Sequence, residues 1–242
     1  WGPPFMVDAD GNETDTAAYF LSANRGKKSV TVDITKPEGQ DIIRKLVAEC
    51  DILLENYKVG GLKKYGLDYE SLSEINPGLV YCSITGFGQT GPYSPRAGYD
   101  FLIQAMGGLM SVTGEAESKP GGGPQKIGVA LSDILTGLYT VIGALSALAY
   151  RDKTGRGQHV DMSLLDVTVA SMANQAMNYL VAGKSPTTMG NAHPNIVPYE
   201  AYKAADHYII LAVGNDAQFR RFCEVAGRVD LADDDSYATN RK

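Results

Sequence analysis

The chain has 242 residues, 44% of them hydrophobic and 21% charged, and a formal net charge of −6. That length can bury a large core, and the composition is that of a soluble globular protein with one large domain or a domain and a half. The acidic balance argues against a general nucleic-acid binder but leaves room for a local basic pocket that takes a polyanionic small molecule.

Three cysteines, Cys50, Cys82 and Cys223, are widely spaced and form no CxxC pair. They read as core thiols in a reducing cytosol rather than as a disulfide framework or a zinc site. No basic segment followed by an apolar run opens the chain, so no signal peptide is read. The uncharged run 134–150, "ILTGLYTVIGALSALAY", carries Gly, Ser and Thr throughout. It reads as a helix buried in a soluble domain, short for a membrane span. Both ends read as cut, at Trp1 in "WGPPF" and in "DDDSYATNRK", as in part of a longer protein.

In chain order, "KKSVTVDI" (27–34) alternates and is rich in β-branched residues, which predicts a strand. A helix follows, opened by Thr35, Pro37 and Glu38, with Ile42, Ile43, Leu46, Val47 and Cys50 on one apolar stripe. "DILLENY" (51–57) predicts a strand, "DYESLSEI" (68–75) a short helix opened by Asp68, and "GLVYCSITGFG" (78–88) another strand. Helix 133–150, strand 158–164 and helix 166–181 continue an alternation that predicts a mostly parallel sheet with flanking crossover helices. After Gly183 the character changes. Two strand-like runs surround a turn at 205–207, and "DAQFRRFCEVAG" predicts a helix ending at Gly227. The expected architecture is therefore α/β: a large Rossmann-like domain over 1–190, then the start of a smaller α+β domain over 191–242.

Several motifs compete for the chemistry. Gly86, Gly88 and Gly91 satisfy GxGxxG directly after a strand, but Pro92 and Pro95 follow. Those prolines oppose the helix that a dinucleotide pyrophosphate would need, so nicotinamide and flavin binding are discounted. The glycines still imply a tight turn and a close approach. Basic residues in "NRGKK", in "LKKYG" and at Arg96 arrive from three loops. They are either a solvated surface or, at one edge of a parallel sheet, a site for a ligand with several phosphates. Neither an HxxxH pattern nor an Asp/His cluster with ligand spacing is present, so no metal site is read. There is no GxSxG elbow.

Asp166 is the remaining oddity, a carboxylate where an apolar strand hands over to an apolar helix. Ser163 and Asp166 fit a capping box, and a helix cap is the simpler reading. The alternative is a nucleophile, flanked by Leu164, Leu165, Val167 and Val169, half-buried yet held as the anion by the helix N-terminus. Residue chemistry alone leaves both open.

The ordered series "NRGKKSVTVDITKPEG", "DILLENYKVGGLKKYGLDYESLSEINPGLVYCSITGFGQTGP", "RAGYD", "SDILTG" and "KTGRGQHVDMSLLD" resembles the class III CoA-transferases, the group of formyl-CoA transferase and carnitine CoA-transferase. The resemblance implies a catalytic aspartate at Asp166. It also implies CoA contacts from Lys28, from Leu62, Lys63, Lys64 and Tyr65, from Gly86, Phe87 and Gly88, from Arg96, and from Asp133, Ile134, Leu135 and Thr136. The substrates it implies are an acyl-CoA and a small carboxylic acid, with coenzyme A as a substrate portion and no prosthetic group. It further implies a ring-like monomer interlinked in a homodimer when full length, in the cytoplasm or, in a eukaryote, an organellar matrix, without nucleic acid or membrane. Formyl-CoA transferase carries a run of glycines where this chain reads "MGNAHPNIVPY", which argues against formyl and oxalate specificity and makes Gly190, Asn191 and His193 acyl-pocket candidates. Two rivals remain. An α-methylacyl-CoA racemase would pair the same aspartate with a histidine after "GYD", about where Ser111 stands, and no His occurs in residues 1–158. A CoA-binding module without turnover would keep the basic loops and need no acid.

Overall fold

The computed structural model describes residues 2–242; Trp1, cited above for the cut N-terminus, lies outside them. The chain divides into two compact units, one ending at Ile43 and one running Arg44–Lys242, and the division falls inside a helix.

In the first unit, β1 (Phe5–Val7) and β2 (Glu13–Ala17) pair antiparallel, and α1 (Ala18–Ala23) follows. None of these was predicted. The strand expected over 27–34 does not form, and residues 27–33 are irregular with Val30 72% exposed. Alternation and β-branching only describe a surface that fits a sheet, and a strand needs a partner ladder to exist. Among the described residues this segment has none. The helix after it, α2 (Pro37–Glu49), opens at Pro37 as expected. Of its apolar stripe Val47 is buried, whereas Ile42 and Leu46 are exposed. Cys50 falls beyond the helix and is exposed, so it is not a core thiol; Cys82 and Cys223 are buried.

The second unit is built on β3 (Ile52–Glu55), β4 (Val80–Thr85) and β5 (His159–Ser163), a parallel sheet in the order β3-β4-β5. The mixed α/β class expected from the alternation is what forms. α3 (Tyr69–Ile75) connects β3 to β4, while α4 (Asp100–Met106) and α5 (Leu131–Thr154) lie between β4 and β5. One sheet face is apolar: Val80 and Cys82 pack with Ala144 and Ala147 of α5, flanked by Ile52, Leu148 and Val160. Side chains of opposite parity make the other face polar. There the Ser83 hydroxyl meets His159 Nε2 at 2.9 Å, Tyr69 stacks on His159, and the Tyr81 hydroxyl donates to Leu67 O. Burial pushes the Tyr81 phenol well above its ordinary range, and the carboxylates of Glu55, Asp68 and Glu70 add to it.

α5 has 24 residues and is long and apolar enough to cross a membrane by length and composition alone. It is not the wholly buried helix expected. Ser132, Thr136, Thr140, Ala144 and Ala147 face inward at near four-residue spacing, while Leu138, Val141, Ile142 and Leu145 are each more than half exposed. Small residues on the inner stripe let the helix lie close to the sheet, and the bulky residues take the outer one.

α6 (Leu164–Ala170) and α7 (Ala173–Ala182) replace the single helix expected over 166–181. No Gly or Pro announces the break. The Ser171 hydroxyl bonds back to Val167 O at 2.7 Å, and Ala173 takes a left-handed φ of 45°. Beyond Gly183, β6 (Tyr199–Lys203) and β7 (Tyr208–Ala212) form the expected antiparallel pair, and α8 (Asp216–Val225) precedes α9 (Val229–Ala232).

The entry to β5 depends on Gly157, where a Cβ would run into the carbonyl of Leu79, while the Gly157 amide donates to Pro77 O at 2.8 Å. Gly157→Ala is expected to destabilise the fold by about 1–3 kcal/mol, read as a lower denaturation midpoint; an unchanged midpoint would contradict this packing.

Candidate active site

Parallel pairing decides what meets at the sheet's carboxyl edge. β4 and β5 pair in register with Thr85 opposite Ser163, so the segments leaving them, Gly86–Gln89 and Leu164–Asp166, emerge side by side. They are stitched together. The Leu165 amide donates to Gly86 O at 3.1 Å, and the Ser163 hydroxyl lies 3.5 Å from the same oxygen. Gly86 is needed there, because a Cβ would lie 2.5 Å from the Gly98 Cα. Gly88 has φ 82°, and its amide donates to the Thr85 hydroxyl. No helix follows this turn; residues 90–96 form bends and turns, and α4 starts only at Asp100, in line with the objection raised by Pro92 and Pro95.

Ser163 caps α6, its hydroxyl accepting from the Asp166 amide at 3.2 Å. The capping reading is therefore correct as far as it goes, with the helix starting at Leu164 rather than 166. The expected half-burial of the Asp166 carboxylate is not found, because the residue is exposed. Helix geometry explains the difference. Leu164, Val167 and Thr168 occupy the buried face, and neighbours in sequence point elsewhere. Flanking apolar residues thus do not desolvate Asp166 in this chain.

A buried polar network fixes α6 from beneath. The Thr168 hydroxyl donates to Ser132 Oγ at 2.8 Å, joining α6 to the first turn of α5. Asp100 Oδ1 accepts from the amides of Ser132 and Asp133 at 2.8 and 3.3 Å, and its Oδ2 accepts from Gln104 Nε2 at 2.7 Å. Fully buried Gln104 in turn accepts from the Ile127 amide. The helix-end donors of α5 are thus satisfied by a side chain from α4. Gly107 lets α4 end directly on Thr168, where a Cβ would sit 2.7 Å from its methyl. Sequence reading missed Asp100, Gln104, Ser132 and Thr168. The repeat of small polar residues at 132, 136 and 140 was the available signal for a buried polar stripe.

The other candidates fall in several places. Arg96 stacks over the Tyr93 ring at 4.3 Å, and Tyr93 packs edge-on against Phe87 at 5.5 Å, which brings this cation to the glycine turn. Asp133 and Ile134 are exposed and Leu135 is half-buried at the start of α5. Thr136 is 1% exposed, and its hydroxyl donates to Ser132 O, so it presents nothing to a ligand here. Leu62 is buried beneath the turn Lys63–Tyr65, with Lys64 over the Tyr65 ring and Arg44 donating to Tyr65 O at 2.8 Å. Lys28 is exposed and belongs to the first unit. Gly190 donates to Gly114 O and lies against the Glu115 carboxylate. Asn191 is exposed in the same turn. His193 Nδ1 accepts from the Asn195 amide at 3.1 Å, and its ring tilts against Tyr199. Among the described residues no group of three or more His, Cys, Asp or Glu is placed to hold a metal ion.

This stitched sheet edge, with a capped aspartate beside a glycine turn, lies within residues 5–242, which match the model of CoA-transferase family III. The chain belongs to CoA-transferase family III. This family III chain is 56% identical over 241 residues to the succinate–glutarate CoA-transferase of Agrobacterium fabrum strain C58, covering 100% of the chain and 59% of that protein. It is 45% identical over 240 residues to human succinyl-CoA:glutarate CoA-transferase, covering 99% of the chain and 52% of that protein. The crystal structure of a CaiB/BaiF family protein from Brucella suis superposes with a TM-score of 0.82 at 57% identity, over 99% of this chain and 62% of that one. The chain therefore spans between about half and three-fifths of the length of these relatives.

Asp133 carries a pH signature. Although the residue is exposed overall, neighbouring protein strips water from part of its carboxyl, and this desolvation, and secondly the Asp100 carboxylate, raise it above the ordinary 3.8. A raised folded-state value stabilises below 3.8, and that contribution is lost as pH climbs through the folded value. Asp133→Asn removes the dependence. The wild-type Tm relative to this variant is expected to fall as pH rises above the ordinary carboxyl value of 3.8, and a difference independent of pH would contradict the assignment.

Proposed function

We propose that the protein containing this chain moves CoA from an acyl-CoA thioester to a free carboxylic acid, with Asp166 as the nucleophile. The observation that carries the reading is the placement of Asp166: in the first turn of α6, at the carboxyl edge of the parallel sheet, beside the glycine turn. Ligands of open α/β sheets bind at that edge. Its exposure leaves the carboxylate accessible to a thioester.

In the proposed sequence Asp166 attacks the thioester carbonyl. The carbon–sulfur bond breaks, giving an aspartyl–acyl anhydride and CoA thiolate. The thiolate then attacks the aspartyl carbonyl of the anhydride, forming an aspartyl-CoA thioester and releasing the first acid as its carboxylate. The acceptor carboxylate attacks this thioester to give a second anhydride, and the thiolate attacks its acyl carbon, leaving CoA on the acceptor and Asp166 regenerated. Each covalent intermediate conserves the acyl activation on the protein, so the thioester is exchanged without passing through the free acid and water. Each tetrahedral step needs donors aimed at an oxyanion, and backbone amides near a glycine-rich loop suit that role.

Lys63, Lys64 and Arg96 are the proposed phosphate-facing cations, and no prosthetic group is called for. The acids are proposed to be short dicarboxylates, supported by the succinate and glutarate named for the two relatives above. A relative from Acetobacter aceti, 37% identical, is an acetyl-CoA:oxalate CoA-transferase, which keeps oxalate among the acids to assay. A homodimer is proposed for the full-length protein, and the open apolar side of α5 supports it. A reducing cytoplasmic or matrix compartment is proposed from three unpaired thiols.

The test uses the full-length protein, succinyl-CoA and hydroxylamine, with mass spectrometry of the peptide bearing Asp166. A hydroxamate at Asp166 is expected in the wild type and none in Asp166→Asn, whose transfer rate is expected to drop about a thousandfold or more. Exchange at the wild-type rate in Asp166→Asn would sink the covalent reading, and exchange of an α-hydrogen with solvent deuterium would replace it with a racemase.

A further inference from the structure

The glycine turn beside Asp166 is held by a side chain that the transfer chemistry does not use. Asp161 stands on β5, two residues before Ser163 and on the same sheet face. Its Oδ2 accepts from the Gln89 amide at 2.9 Å. A Cβ on Gly88 would lie 3.5 and 3.7 Å from Asp161 Oδ2 and Oδ1, so the carboxylate lies close against the turn. Among the described residues Asp161 forms no ion pair. A second feature of the turn points to a ligand. The Gln89 side-chain nitrogen Nε2 is buried and has no hydrogen-bond partner. Leaving such a donor unpaired is costly, and a rotation of the half-buried Gln89 side chain toward an acceptor on a bound ligand would recover that cost.

We propose that Asp161 is a positioning residue: it latches the Gly88–Gln89 turn to β5 through the Gln89 backbone N–H, so that the turn, with the Gln89 side-chain amide, receives the CoA portion of the substrate. This rests on the CoA-site reading above. CoA is a polyanion, so the negative charge of Asp161 works against binding at short range. What the residue contributes is an acceptor for one backbone N–H, and a hydrogen bond to a carboxylate is of the strong kind. The two effects have opposite signs, and substitution separates them. Asparagine keeps an acceptor oxygen and drops the charge. Alanine drops both.

The experiment is calorimetric titration of full-length protein with free CoA, paired with peptide-level hydrogen exchange over residues 86–91. Asp161→Ala is expected to weaken CoA binding about tenfold and to speed exchange in that peptide, with Tm little changed because Asp161 is exposed. Asp161→Asn is expected to bind CoA at least as tightly as wild type, with wild-type exchange. Binding by Asp161→Ala at wild-type strength would overturn the latch. Equal weakening in both variants would overturn it too, since charge rather than the acceptor would then matter. A loss that tracks a lowered Tm would make the role structural only and overturn it likewise. If the wild type itself binds no CoA, the site reading fails along with the latch. If it binds CoA and Asp166→Asn still transfers, the covalent reading fails while the latch is judged on its own result.

Discussion

The in-register parallel pairing of β4 with β5 is the constraint on which the site depends. Once Thr85 lies opposite Ser163, the glycine turn and the first turn of α6 leave the sheet in the same direction and within hydrogen-bonding distance. A slip of one residue would send Val160 and Met162 to the polar face and Asp161 and Ser163 into α5. The apolar packing of Val80, Cys82 and Val160 on α5 forbids that slip. The hydrophobic core thus sets the register, and the register sets the neighbours of Asp166.

The polar groups at the interior end of α5 complete the arrangement. Asp100, Gln104, Ser132 and Thr168 connect three helices through bonds that leave few alternatives, since each partner is at least partly shielded from water. A buried network of this kind specifies geometry more than it adds stability, because breaking one member strands the others. It makes the base of α6 rigid while the outer face of the same helix, which bears Asp166, stays open. Rigidity below and access above suit the nucleophilic role proposed for Asp166.

Much of this was legible in the sequence. The strands at 52–55, 80–85 and 159–163, α3, α5 and the β6–β7 pair all follow from alternation, capping residues and turn glycines. The motifs that carry the resemblance put Asp166 in view. What failed did so for identifiable reasons. The strand over 27–34 has the right residues but no ladder partner, and strand formation is a property of pairs. The break between α6 and α7 falls just before Ala173, which takes a left-handed φ, and no Gly or Pro marks it in the sequence. Half-burial of Asp166 was inferred from its sequence neighbours, whereas burial on a helix follows positions three and four away. Asp161 went unnoticed because a single acid on an alternating strand looks like an ordinary solvent-facing residue.

Gly86 and Gly98 cross with their α-carbons so close that a methyl on either would strike the other's backbone. Two such positions cannot trade size, since enlarging one finds no side chain on the opposite segment to shrink. Drift at this crossing is therefore blocked from both sides at once. A change of shape at this end of the sheet therefore has to come from the side chains around the crossing and not from the two glycines themselves.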